Sequence, residues 1–211
     1  MSPPRVFIQA RISSARFPAK VLAPLRGKPI ISHVVRRALQ AVPRERLVVT
    51  TSTEATDDPL AAYVRELGVA VFRGPLENVF VRFQMCLERF PCDWFFRVCA
   101  DSPLLDATLM TRMMDERRNG VDLVTNVQQR TFPRGQSLEL LNSQTFAGID
   151  PGELSAEEQE HVTKVYYTHP ERFHIVNLVS AQPELAHQSL AVDTIDDLRR
   201  IEQLPVMDTR L

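Results

Sequence analysis

Short apolar runs alternate with amphipathic segments through the first 126 residues, and that rhythm restricts the chain to few architectures. Val6 to Ala10 predicts a buried strand, and Ile30 to Val42 a helix whose apolar residues form one stripe. Leu47 to Thr51 reads as a second strand. Asp58-Pro59 then opens a helix that stops at Gly68, with proline just inside and glycine just past it. Val69 to Phe72, Trp94 to Ala100 and Leu123 to Asn126 are further strands. Between them lie a helix from Asn78 to Phe90 and another that Asp106 caps and that reaches Gly120. Strands separated by single helices form right-handed crossovers. The expected fold is therefore α/β, with a mostly parallel sheet and helices on both faces.

Beyond Asn126 the rhythm changes. Ser137 to Leu141, His174 to Val179 and Ser189 to Val192 predict strands. Ser155 to His169 predicts one helix, and Ile195 to about Leu204 another, opened by Asp193 or Thr194. No repeat or linker divides the chain, so residues 1–211 are expected to form a single domain. Residues from about 127 to 180 read as an insert for acceptor binding or dimerisation.

The first strand runs into a loop that carries Arg11, Arg16 and Lys20 and no acid. In an open α/β sheet, ligands bind at the carboxyl ends of the strands. Three cations gathered there fit a polyanion such as a nucleoside triphosphate. Glycine cradles are missing: no Gly-x-Gly-x-x-Gly follows the first strand, no Walker loop exists, and the chain has only 7 glycines. A hydrolase Gly-x-Ser-x-Gly elbow is also absent. Two carboxylates follow strands that should end at the same crevice: Asp101 in Cys99-Ala100-Asp101-Ser102-Pro103, and Asp193 in Ala191-Val192-Asp193-Thr194. Such a pair can share a magnesium ion whose remaining ligands are water and substrate phosphates. Asp106 reads as a helix cap instead.

Composition narrows the partners. Lys plus Arg total 25 against 26 for Asp plus Glu, a net charge of −1, so no extended basic surface for nucleic acid is expected. No apolar run reaches the length of a membrane span, and no signal-peptide pattern opens the sequence. Cys86, Cys92 and Cys99 are odd in number and lack metal spacing. They read as reduced thiols in a cytoplasmic protein.

The opening segment, Asp101-Ser102-Pro103-Leu104 and Val192-Asp193-Thr194-Ile195-Asp196-Asp197-Leu198 together resemble the spore-coat-polysaccharide (SpsF-like) type of cytidylyltransferase, a group related to CMP-acid-sugar synthetases. Phe72-Arg73-Gly74, Phe132-Pro133-Arg134-Gly135 and Glu160-His161-Val162-Thr163 match in the same order, so the resemblance spans nearly the whole chain. It implies a three-layer α/β/α Rossmann-like (GT-A-like) nucleotidyltransferase fold, usually as a homodimer. The implied reaction joins CMP from CTP to a phosphorylated or hydroxylated small molecule and releases pyrophosphate. By the same resemblance, Arg11, Lys20 and Asp101 are catalytic, and Asp101 and Asp193 hold magnesium. Gln9, Ala10, Ser13 and Arg16 join Arg11 and Lys20 around the nucleotide. Thr51, Ser52, Arg73, Gly74 and Asn78 fall where the pyrimidine is read. Asn126, Arg134, Glu139, Glu160, His161 and Thr163 fall on the acceptor side. His161 is a candidate general base for a hydroxyl acceptor.

The sequence also departs from the family pattern. Ala19 stands where glycine commonly precedes the lysine, Ser13-Ser14-Ala15 where Gly-Ser-Thr is common, and Ala100 where glycine is usual. Gln136-Ser137-Leu138-Glu139 replaces Leu-Asp-Val-Glu, which removes a carboxylate from the acceptor side. Two alternatives stay open at this point: a nucleotide-binding partner protein with weakened catalysis, and a transferase that uses another nucleoside triphosphate.

Overall fold

The computed structural model describes residues 2–205. Along the chain the elements are β1 (Arg5–Gln9), β2 (Pro24–Leu25), β3 (Lys28–Pro29), α1 (Ile30–Ala38), β4 (Leu47–Ser52), α2 (Asp58–Glu66), β5 (Ala70–Gly74) and α3 (Val79–Arg89). They continue with β6 (Trp94–Cys99), α4 (Ala107–Asp115), β7 (Leu123–Thr125), β8 (Glu139–Asn142), α5 (Ser143–Ala147), α6 (Ala156–Glu160), α7 (Lys164–Thr168), β9 (Ile175–Asn177) and α8 (Ile195–Gln203).

Seven strands make one sheet in the order β5-β4-β1-β6-β8-β7-β9. The pairings β1–β4, β1–β6, β4–β5 and β7–β9 are parallel. β8 runs antiparallel to both its neighbours, so it alone is reversed. From β1 the chain first builds outward through β4 and β5, then returns to place β6 on the other side. The order therefore reverses between β1 and β6, the position where α/β sheets open a crevice.

Side-chain alternation explains the layers. Val6 and Ile8 of β1, Leu47 and Val49 of β4, and Phe96 and Val98 of β6 face one core, which α1, α2 and α4 close with Val34, Leu60, Val64, Leu109 and Met113. The intervening Phe7, Val48 and Phe95 face the opposite core with Phe80 and Phe83 of α3, Phe146 of α5 and Tyr166 of α7. Aromatic rings dominate that second face: Phe7 stacks on Phe95 at 5.0 Å, and Phe146 meets Phe95 edge-on at 5.2 Å. A sheet buried on both faces by helices is the three-layer α/β/α arrangement the sequence predicts.

Several predicted elements are shorter or different. The Ile30–Val42 stripe is helical only to Ala38, and Leu39 to Val42 form a turn that still buries Val42. The helix after Asp106 stops at Asp115, although Asp106 caps it as expected, accepting the Thr108 amide at 2.8 Å. α2 begins at Asp58, after Asp57 and not after an Asp58 cap, and Gly68 ends it at φ 71°. The single helix expected from Ser155 to His169 is two short helices, α6 and α7. Between them Val162 turns into the second core, and Thr163 turns its hydroxyl to Glu139 at 2.7 Å. Both contacts together bend the backbone out of the helix.

Ser189 to Val192 is not a strand. It makes one isolated bridge, Arg134 to Ser189. Its other backbone groups are taken by the Leu190 amide donating to Arg134 O at 2.6 Å and the Val192 amide donating to Asp101 O at 2.8 Å. This segment is thereby stitched to two loops, which brings Asp193 to the sheet's crevice. Thr194, not Asp193, caps α8, in a reciprocal capping box with Asp197. No helix among the described residues is long and apolar enough to cross a membrane.

Candidate active site

Gln9 closes β1 and Ala10 follows it; Cys99 closes β6 and Ala100 and Asp101 follow it. With Arg11, Ser14, Ala15, Arg16, Lys20, His161 and Asp193 they line a cavity of about 360 Å³. It lies at the reversal of strand order.

Lys20 is its electrostatic centre. The ammonium lies 2.9 Å from Asp101 Oδ2 and 3.0 Å from Asp193 Oδ1, and it also donates to Val192 O at 3.0 Å. Burial alone would lower the Lys20 pKa, but the Asp101 and Asp193 carboxylates outweigh it and raise it, so the cation persists. Arg16 pairs with Asp193 at 2.9 Å and Arg134 with the other oxygen of Asp193 at 3.1 Å. One cationic nitrogen thus already bridges two hard carboxylate oxygens from distant parts of the chain. That donor set suits a divalent ion with few protein ligands. Among the described residues no group of three or more His, Cys, Asp or Glu could hold a metal by itself, so substrate oxygens and water would complete the shell.

The loop that supplies Lys20 is held in an unusual backbone shape. Ala19 has φ 57° and ψ 19°, the left-handed region that favours glycine. Its amide donates to Ile12 O at 3.0 Å, closing the loop, and the next residue starts the short turn that aims Lys20 inward. Ala19→Gly is expected to stabilise the protein by about 0.5–1 kcal/mol. Thermal melting checks it: a melting temperature raised by about 1–4 °C is expected, and a lowered one would contradict the strain.

A second cavity of about 310 Å³ shares Arg16, Cys99, Asp101 and Asp193 with the first and adds Arg97, Ser102, Arg130, Arg134, Ser137 and Glu139. Glu139 is buried and saturated: Arg97 pairs with it at 3.0 Å, and the Thr163 and Tyr167 hydroxyls each donate to it at 2.7 Å. Gln9 Oε1 accepts from Arg97 at 3.0 Å. Arg130 contacts the Ser137 hydroxyl at 3.1 Å. Burial pushes the Cys99 thiol up to about 11, so it is no nucleophile at neutral pH.

The expected site residues fall into two groups. Gln9, Ala10, Arg11, Arg16, Lys20, Asp101, His161 and Asp193 converge on the first cavity, and Arg134 and Glu139 on the second. Glu160 reaches this region through an ion pair with Arg11 at 3.5 Å. The rest stand back. Ser13 points to solvent, and its neighbour Ser14 lines the cavity. The Thr51 and Ser52 hydroxyls are buried against Asp57. Arg73 turns to Ser52 O at 2.8 Å and to Asp58 at 2.6 Å, outside the cavity. Gly74 gives passage to Arg82: a Cβ there would meet Arg82 Cγ at 2.9 Å. Asn78 caps α3 and donates to Gln159 at 3.0 Å. Asn126 is buried and holds Gln136 O at 2.7 Å and the Leu138 amide at 2.9 Å, and Thr163 is committed to Glu139.

Arg97, Arg130 and Asp57 escape the motif reading. An arginine inside the apolar run Trp94-Phe95-Phe96-Arg97-Val98 is a legible signal, because a charge in a central strand needs a partner. Arg130 carries no such mark.

Comparison with known proteins bears on the family and the fold. The family model described as cytidylyltransferase matches residues 6–206. The spore coat polysaccharide biosynthesis protein SpsF of Bacillus subtilis (strain 168) is 32% identical over 205 residues, covering 93% of this chain and 84% of that protein. A solved cytidylyltransferase from Leptospira borgpetersenii superposes with a TM-score of 0.90 at 26% identity, covering 96% of this chain and 86% of the other. CMP:2-keto-3-deoxy-manno-octonic acid synthetase, solved in complex with CTP, shares the fold with a TM-score of 0.68 at 19% identity, covering 95% and 97% of the two chains.

Proposed function

The chain belongs to the cytidylyltransferase family, and from that premise we propose that it transfers CMP from CTP to an anionic small-molecule acceptor, releasing pyrophosphate. The observation that carries the reading is the meeting of Lys20 with Asp101 and Asp193 within 3.0 Å at the reversal of strand order.

In this reading the first cavity takes the nucleotide. Arg11, Arg16 and Lys20 hold the triphosphate, and as the pyrophosphate leaves they neutralise its growing charge. Magnesium bound by Asp101 and Asp193 would supply further charge neutralisation at the phosphates. Lys20 then exchanges its carboxylate partners for phosphate oxygens. The second cavity takes the acceptor, beside the same two aspartates. In it, Arg134 and Arg16 become available once Asp193 has another cationic partner, and among the described residues Arg130 has no carboxylate within ion-pair distance. That surplus of guanidinium groups supports an acceptor bearing phosphate, phosphonate or carboxylate. If the attacking oxygen is already ionised, positioning suffices. If it is a hydroxyl, His161 at the cavity wall is placed to take its proton.

Pyrophosphate release from CTP and magnesium, over a panel of sugar phosphates, polyol phosphates, phosphonates and acid sugars, tests the proposal. UTP, GTP and ATP serve as competitors for the base. Silence over the whole panel with CTP still bound would favour a nucleotide-binding partner without turnover. With the active acceptor, Arg130→Ala is expected to raise the acceptor KM about tenfold and leave the CTP KM within twofold. An unchanged acceptor KM would remove Arg130 from the pocket.

A further inference from the structure

Asp57, in the turn before α2, takes no part in the proposed chemistry, yet it is a carboxylate wholly shielded from solvent. It makes no capping bond to α2. One carboxylate oxygen accepts the Ile12 amide at 2.7 Å. The other accepts the Thr51 hydroxyl at 2.9 Å, the Ser52 amide at 3.1 Å and the Ser52 hydroxyl. Burial would raise the Asp57 pKa, but these bonds outweigh it and hold the group below the usual carboxylate range. A buried charge is costly where a neutral side chain could cap a turn, so its placement calls for a use that needs a strong acceptor.

The Ile12 peptide shows the use. Its carbonyl accepts the Ser14 amide at 2.8 Å and the Ala19 amide at 3.0 Å, so it closes both ends of the loop from Ile12 to Ala19. Its amide is held by Asp57. Arg11 precedes this peptide, Arg16 sits on the loop, and Lys20 follows its closure. Nearby, Arg82 is a fully buried arginine packed against Gly74. Arg82 donates to Pro75 O at 2.8 Å, but among the described residues its Nε and Nη2 have no partner. Its pKa is lowered to about 10, first by burial and then by Arg11, while Asp57 acts in the opposite direction.

We propose that Asp57 is a positioning residue for nucleotide binding: it anchors the Ile12 peptide to the end of β4 and so aims Arg11, Arg16 and Lys20 at one polyphosphate. The proposal rests on the reading of that loop as the triphosphate site. Asp57→Ala frees the peptide, whereas Val64→Ala opens the core beneath α2 and leaves every bond of Asp57 in place. Equilibrium CTP binding with magnesium, amide exchange of residues 12–20 and thermal melting are measured on both. Asp57→Ala is expected to weaken CTP binding about tenfold or more and to speed exchange in the loop. Val64→Ala is expected to melt lower but to bind CTP within about threefold of wild type, so that a loss of affinity in Asp57→Ala alone is not a loss of stability. Wild-type affinity and wild-type loop exchange in Asp57→Ala would overturn the proposal, as would equal affinity losses in the two variants. Should Asp57→Ala not fold, Asp57→Asn, of nearly the same volume, carries the same comparison. Failure of the unaltered protein to bind CTP would instead count against the assignment of the loop itself.

Discussion

Asp101→Asn is expected to lower turnover by about 10²–10³-fold, the scale for losing one key electrostatic contact at a reacting phosphate. The substitution keeps the shape of the side chain and removes its charge. Asp101 is part-exposed and lies at a strand end outside the cores, so the fold should persist. What changes is the pair of carboxylates that face Lys20. With one negative charge left, Lys20 keeps Asp193 as its one carboxylate partner beside Val192 O, and in the proposed reading a divalent ion would lose one of its two carboxylate ligands. Pyrophosphate release at saturating CTP and magnesium measures the effect, with a melting curve to show that the variant is folded. Turnover within threefold of wild type would take Asp101 out of the proposed site.

Gly135→Ala is expected to be the most damaging single methyl group in the chain. Gly135 has φ 90°, and a Cβ there would lie 2.5 Å from Leu190 C, 2.6 Å from Ala191 N and 2.7 Å from Leu190 O. All three are backbone atoms of the segment that delivers Asp193, so no side chain can swing aside. The cost combines left-handed strain with steric overlap, about 3 kcal/mol or more, or a melting temperature lower by roughly 6–12 °C. The bonds from the Arg134 amide to Gln188 O and from the Leu190 amide to Arg134 O would stretch first. CTP binding should fall with stability, because Asp193 moves with the same segment. A variant that melts like wild type would show that the segment yields more readily than its packing implies.

How legible the molecule is from its residues depends on where the relevant contacts are. Periodicity along the chain identifies β1, β4 and β6, because each buries alternate residues in two different cores. Local chemistry identifies Asp106 as a cap. For the meeting of Lys20 with Asp101 and Asp193, strand-end position locates Asp101 alone, and the motifs locate Lys20 and Asp193, which arrive on a loop and on a segment that is not a strand. The failures share another cause. Val162 and Thr163 break a helix whose local pattern is continuous, because contacts more than twenty residues away demand it. Ser189 to Val192 has the composition of a strand but trades its backbone bonds to the Arg134 and Asp101 loops. Thr51, Ser52 and Arg73 are a different matter: they lie in a family motif, and the structure adds that their side chains engage Asp57 and the turn around it. A motif marks a neighbourhood, and the partners of each side chain within it are set by the tertiary fold.

The turn between β2 and β3 ties an early loop of the chain to its last helix. Arg26 and Gly27 both have positive φ, 50° and 77°, as a tight two-residue hairpin requires. The Arg26 guanidinium reaches across to the carbonyls of Ile201, Glu202 and Leu204 at the close of α8. Leu25, Ile30, Leu104, Val192, Leu198 and Ile201 form a small apolar cluster apart from the two large cores. This corner is therefore expected to loosen on its own while the seven-stranded sheet stays shut. In the proposed reading, a protease cut there would release the segment that carries Asp193 long before the body of the molecule came undone.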